Sequence, residues 1–132
     1  MFSQPTTLVT EGILVSVRTA YIQEESNPGK NRFVFAYQVL ILNESRSNVQ
    51  LLRRRWLITD AFGHKRIVQG DGVIGRQPEL APGESHQYTS GCDFSTDMGK
   101  MEGYFFMINK DDGREFKVRI PAFVVAKPEL NN

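Results

Sequence analysis

Phe33-Val34-Phe35-Ala36-Tyr37-Gln38-Val39-Leu40-Ile41-Leu42 is the stretch that decides the fold. It is dense in β-branched and aromatic residues, which suit a pleated, half-buried surface better than a helix. Read at a period of two, Phe33, Phe35, Tyr37, Val39 and Ile41 share one face. Val34, Ala36, Gln38, Leu40 and Leu42 share the other. Both faces are largely apolar, which predicts a central strand covered on two sides.

Working outward, the same period recurs. Ile13, Val15 and Val17 alternate with Leu14, Ser16 and Arg18, and Tyr21-Ile22 extends that strand up to a polar turn containing Pro28-Gly29. After the turn Asn43 to Asn48, a third strand runs from Val49 to Thr59. Asp60-Ala61-Phe62-Gly63 is a hairpin signal and His64 to Gln69 its return. Gly70 to Gly83 reads as loop with a short strand at Val73-Ile74. Ser85 to Ser90 and Gly103 to Ile108 read as strands, with a turn at Asn109 to Gly113. Arg114 to Ile120 then alternates, with Phe116, Val118 and Ile120 inward and Glu115, Lys117 and Arg119 outward. Pro121 ends that strand or marks an edge, and Phe123 to Ala126 forms a last short one. Nothing repeats at 3.6 residues, so the class is all-β: a sandwich or barrel of about seven or more antiparallel strands.

The 132 residues fit one domain, 1–132, with an ordered core of about 8–127. Lys and Arg number 16 against 15 Asp and Glu, and the resulting net charge of +1 exerts no long-range pull on nucleic acid or anionic membrane. A single cysteine, Cys92, excludes an internal disulfide and fits a reducing compartment. Neither a secretory signal nor an apolar run long enough to span a bilayer is present, so a cytoplasmic location is expected.

The most distinctive stretch is Val68-Gln69-Gly70-Asp71-Gly72-Val73-Ile74-Gly75-Arg76-Gln77-Pro78, followed by Leu80-Ala81-Pro82-Gly83-Glu84 and Tyr88-Thr89-Ser90-Gly91. With Leu51-Leu52-Arg53-Arg54-Arg55-Trp56-Leu57-Ile58-Thr59 before it, and Thr96, Gly99, Met101, Gly103, Met107, Ile120-Pro121, Phe123 and Pro128 after it, the chain closely resembles the bacterial ApaG family over nearly its whole length. The resemblance implies an immunoglobulin- or fibronectin-III-like β-sandwich. It also implies an association with a diadenosine tetraphosphate hydrolase gene and with cobalt and magnesium tolerance. Related domains in eukaryotic F-box proteins and in a polymerase-interacting protein imply protein binding. Two residues depart from the family pattern: Phe105 where Tyr is common, and Asn132 where a terminal His is frequent.

Gly70-Asp71-Gly72-Val73-Ile74-Gly75 matches G-x-G-x-x-G, but Pro78 and Pro82 interrupt any following helix and no βαβ pattern flanks it. The glycines therefore read as turn residues of positive φ, or as a nest of backbone N–H groups able to hold an anion. In Arg53-Arg54-Arg55, alternation puts Arg53 and Arg55 on one face and Arg54 on the face of Leu52, Trp56 and Ile58. Three arginines on two faces fall short of a nucleic-acid surface, so nucleic acid is not the expected partner. His64, His86, Cys92 and Asp93 lack metal-ligand spacing, and Asn109 to Gly113 is a turn rather than a calcium loop. Ser90, His86 and Asp93 are neighbours in sequence without a nucleophile elbow, and no catalytic residue is assigned.

The expected function is a non-enzymatic interaction module with no cofactor and no metal, engaging an unidentified protein partner. Its candidate surface is Gly70, Gly72 and Gly75 with Arg53 and Arg55. The alternative is a sensor of a phosphate-bearing small molecule, a nucleotide or polyphosphate. Homodimerisation through an edge strand is a further option.

Overall fold

In the computed structural model residues 2–129 are described. Nine strands form two antiparallel sheets: β1 Thr6–Thr10, β2 Ile13–Tyr21, β3 Phe33–Asn43, β4 Val49–Asp60, β5 Lys65–Asp71, β6 Glu79–Leu80, β7 Ser85–Phe94, β8 Met98–Asn109 and β9 Glu115–Ala126. One sheet has the order β1-β2-β3-β7, and the other the order β5-β4-β8-β9 with β6 paired to β4. The only helical pieces among the described residues are two single 3-10 turns, Gln23–Glu25 and Pro28–Lys30. The protein is an all-β sandwich.

The core lies between the inner faces. Ile13, Val15 and Val17 of β2 and Phe35, Tyr37, Val39 and Ile41 of β3 meet Leu51, Trp56 and Ile58 of β4, Phe105 and Met107 of β8, and Val118 and Ile120 of β9, all buried. Trp56 is its centre, edge-on to Tyr37 at 5.3 Å and to Phe123 at 5.9 Å. Phe105 is fully buried, so the ring packs where a phenolic hydroxyl needs a partner. Asn132, the other departure from the family pattern, lies outside the described residues.

Several local expectations change. The second face of β3 is not covered by another layer: Ala36, Gln38, Leu40 and Leu42 are half-buried, flanked only by β2 and β7. Val73-Ile74 is not a strand but the tip of a turn closed by a Val73–Arg76 bridge. Strands β7 and β8 each reach several residues beyond their expected bounds. Pro121 does not end β9 but does mark an edge, since β9 is the outermost strand of its sheet. It sits in a bulge where Pro121 and Ala122 oppose Glu102 alone. A second bulge, between Leu51 and Arg53, makes Leu52 the extra residue. Leu51 therefore fills the core in its place, while Arg54 keeps the expected inward side with Trp56 and Ile58. Strand β1, polar and unanticipated, pairs with β2. Thr10 Oγ1 accepts the Arg119 N–H at 3.2 Å, tying the two sheets along the β1–β9 side. The opposite side, between β7 and β5, has no backbone tie among the described residues and is bridged by the Arg66 side chain.

At one end of the sandwich two loops are stitched by a carboxylate. Asp111 accepts from the Asn48 N–H and from Asn48 Nδ2, each at 3.0 Å. The Asn48 side-chain and backbone bonds hold the Asp111 carboxyl below its usual range. A depressed carboxylate contributes stability above its unfolded pKa, near 3.9, and loses it as pH falls through the folded value. Urea midpoints of the wild type and Asp111→Asn are expected to differ at pH 7 and to converge as pH falls below about 4. A difference that stays constant down to about pH 2 contradicts that role.

Candidate functional site

The glycine loop is organised by its own backbone. The Gly72 N–H donates to Leu52 O at 2.8 Å, Val73 N–H to Arg76 O at 2.8 Å, and Arg76 N–H to Val73 O at 3.0 Å. Three of the loop's N–H groups are thereby spent within the protein, while those of Ile74 and Gly75 have no acceptor among the described residues. Gly72 is required by geometry: φ is +60°, and a Cβ there would stand 2.2 Å from the Arg76 carbonyl oxygen. Gly75 has φ +71° with nothing within 4 Å, so the space around it is open. Gly70 lies in β5 opposite Arg54, whose guanidinium nitrogens would be 3.2 Å from a Cβ. Arg54 Nη1 donates to the carbonyls of Asp71 at 3.0 Å and Gly72 at 2.9 Å, so it is Arg54 that braces the loop.

Arg53 and Arg55 are close to the loop in register, opposite Asp71 and Gln69, yet they project from the other side of the sheet. Cross-strand partners share a face, and the register of β5, β4, β8 and β9 defines what surrounds them. Arg53 opposes Phe106 and Arg55 opposes Tyr104 on β8; Phe106 in turn opposes Lys117 and Tyr104 opposes Arg119 on β9. The outer face thus carries a block of four cations about two half-buried aromatic rings. The Arg53 guanidinium lies over the Phe106 ring at 4.8 Å, and Lys117 Nζ over Tyr104 at 5.3 Å. None of the four is in an ion pair among the described residues. The carboxylates of the same face are Asp71 on β5, directly opposite Arg53, Glu102, paired with Lys100 at 3.2 Å, Glu79 on β6, paired with Lys110 at 3.3 Å, and Glu115 at the end of β9. A chain of net charge +1 thereby presents one concentrated basic and aromatic surface.

Sequence reading placed Arg53 and Arg55 but missed Tyr104, Phe106, Lys117 and Arg119 as their neighbours. The alternation of Arg114 to Ile120 already turned Lys117 and Arg119 outward. The missing information was that β8 lies between β4 and β9, and in which register.

The remaining candidates do not converge. His86 and Ser90 stand about 13 Å apart along β7, and His86 and Asp93 about 24 Å. Asp93 instead pairs with Arg32 at 3.7 Å. Burial, with Arg76 adding its charge, pushes the His86 pKa down. Burial pushes the Cys92 thiol up despite Arg66 beside it, which is the reverse of an activated nucleophile. On the side between β5 and β7, a cavity of about 150 Å³ is lined by Tyr37, Trp56, Arg66, Val68 and Cys92 among others. Arg66 straps it, donating to Cys92 Sγ at 3.2 Å and to the Asp93 carbonyl. No group of three or more His, Cys, Asp or Glu among the described residues is arranged to hold a metal ion.

A family model described as the ApaG domain matches residues 23–109. The chain is 48% identical over 121 residues to Protein ApaG of Brucella abortus (strain S19), covering 92% of each chain. It is 50% identical over 120 residues to Protein ApaG of Mesorhizobium japonicum, covering 91% of this chain and 92% of that one. The crystal structure of the putative ApaA protein from Bordetella pertussis superposes with a TM-score of 0.86 at 41% identity, over 89% of this chain and 95% of that one.

Proposed function

The chain belongs to the ApaG domain family, and from that premise we propose that it is a non-enzymatic binding module whose working surface is the outer face of the β5-β4-β8-β9 sheet. Its partner is an anionic macromolecule. The observation that carries this reading is the block of Arg53, Arg55, Lys117 and Arg119 about Tyr104 and Phe106, cations without carboxylate partners among the described residues. Concentrated charge of one sign speeds encounter and sets orientation, and half-buried aromatics supply contact area at low entropic cost. The scattered nucleophile and base candidates support a role without catalysis. The single cysteine and the two-sheet sandwich accord with a cytoplasmic interaction domain.

The phosphate-sensor alternative, centred on Gly70, Gly72 and Gly75, draws less support, since the Gly72, Val73 and Arg76 amides already have acceptors. A charge-matched pair of variants tests the reading with a heparin oligosaccharide as a generic polyanion. One is Arg53→Gln/Arg55→Gln/Lys117→Gln/Arg119→Gln; the other is Lys30→Gln/Arg46→Gln/Arg76→Gln/Lys127→Gln, at positions off this face. Both lower net charge equally. The face variant is expected to weaken binding by at least tenfold, about 1.4 kcal/mol, and the control only slightly. Equal losses reject a localised site.

A further inference from the structure

The composition of this face narrows the partner further. We propose that it is single-stranded nucleic acid, with Tyr104 and Phe106 as stacking platforms and the flanking cations as phosphate contacts; this rests on the face being the working surface. A polyanion alone needs cations, but it gives no use to two aromatic rings set among them. Bases do, because every base has a π-face and stacking on an aromatic side chain is tolerant of sequence. An acidic protein surface offers carboxylates without such faces. A duplex hides its bases in the stack, so it offers phosphates alone.

The spacing fits an extended strand. Tyr104 and Phe106 are alternate residues of β8, about 6.7 Å apart along it, so bases resting on them are splayed rather than stacked on each other. Each ring has a cation within reach of the adjoining backbone: Arg53 at Phe106 and Lys117 at Tyr104. The Arg53 guanidinium lies over the Phe106 ring at 4.8 Å and can swing to a phosphate as a base takes its place on the ring. The Lys117 ammonium is a mobile point charge on a flexible stem, able to leave Tyr104 to a base and move to a phosphate. Arg55 and Arg119, on either side of Tyr104 in the register, complete the track across β4, β8 and β9.

Fluorescence anisotropy with labelled dT12 and rU12 at low salt tests the proposal, with a duplex of equal length for comparison. Binding is expected with a dissociation constant on the order of 1–100 μM, and with weaker binding of the duplex. Tyr104→Leu and Phe106→Leu alter no charge, and each is expected to weaken binding roughly tenfold. Arg53→Gln and Lys117→Gln are each expected to make the logarithmic salt dependence shallower by roughly 0.7. Circular dichroism confirms that each variant is folded before binding is read. Oligonucleotide binding that the leucine variants leave unchanged overturns the stacking proposal, as does absence of binding. If heparin then still distinguishes the charge-matched variants, the face remains a polyanion site and only the nucleic-acid assignment falls. If heparin fails as well, both readings fall.

Discussion

Gly103→Ala is expected to destabilise the fold by more than about 3 kcal/mol and to lower its urea midpoint sharply. Gly103 lies on the inner face of β8 opposite Trp56, at the place where β8 meets the β9 bulge. A Cβ there would stand 2.1 Å from the Arg55 carbonyl oxygen and 3.1 Å from the Trp56 Cα, backbone atoms that no side-chain rotation can move away. Relief requires β4 and β8 to separate where they are paired through the core. Overpacking ordinarily costs about 1–3 kcal/mol, and a clash with ladder backbone is expected to exceed that range. Against a total of about 5–15 kcal/mol, such a loss removes a large share of the margin. Gly91 is the control, since its nearest atom would be the Phe35 carbonyl oxygen at an ordinary 3.6 Å. Gly91→Ala is expected to change stability by less than about 1 kcal/mol, and to stabilise if it changes it at all. Urea unfolding of the two variants checks both results, and equal midpoints contradict the packing argument.

Trp56→Ala comes next in size, at about 3–5 kcal/mol, because it empties the centre of the sandwich and breaks the edge-on contacts with Tyr37 and Phe123. Trp56→Phe separates packing from polarity. The indole Nε1 is buried with no acceptor among the described residues, so phenylalanine gives up volume but also removes an unsatisfied donor. Its cost is expected to be less than half that of alanine. A Phe variant as unstable as the Ala variant contradicts this, and shows that the indole N–H is satisfied in solution.

Much of the fold was legible from alternation alone. Phe33 to Ile41 and Phe116 to Ile120 face inward as their period dictates, and the hairpins at Asp60–Gly63 and Asn109–Gly113 fall where their turn residues stand. What alternation cannot carry is a bulge. One extra residue at Leu52 moved Leu51 into the core, and another beside Pro121 let a strand run through a proline. Strand β1 was missed because Thr6-Thr7-Leu8-Val9-Thr10 buries none of its residues fully and shows no apolar period.

The candidate site was half legible for a similar reason. Arg53 and Arg55 stand together in sequence, but Tyr104, Phe106, Lys117 and Arg119 join them only through strand order and register, both long-range properties. The glycine loop drew attention because its spacing imitates a phosphate-binding fingerprint. Its geometry has a different cause, a turn too tight at Gly72 for any side chain, braced from within by Arg54. Substituting Gly72 therefore disturbs folding and binding together, whereas the cations and rings of the outer face are separable from the core.

Amide chemical shifts of the isotopically labelled protein, followed through a titration with the heparin oligosaccharide, test the location of the working surface most directly. The largest changes are expected together at Arg53, Arg55, Tyr104, Phe106, Lys117 and Arg119, with Gly72 to Arg76 nearly still. Changes centred on Gly72 to Arg76, or spread evenly over both sheets, contradict the assignment of the outer face as the binding surface.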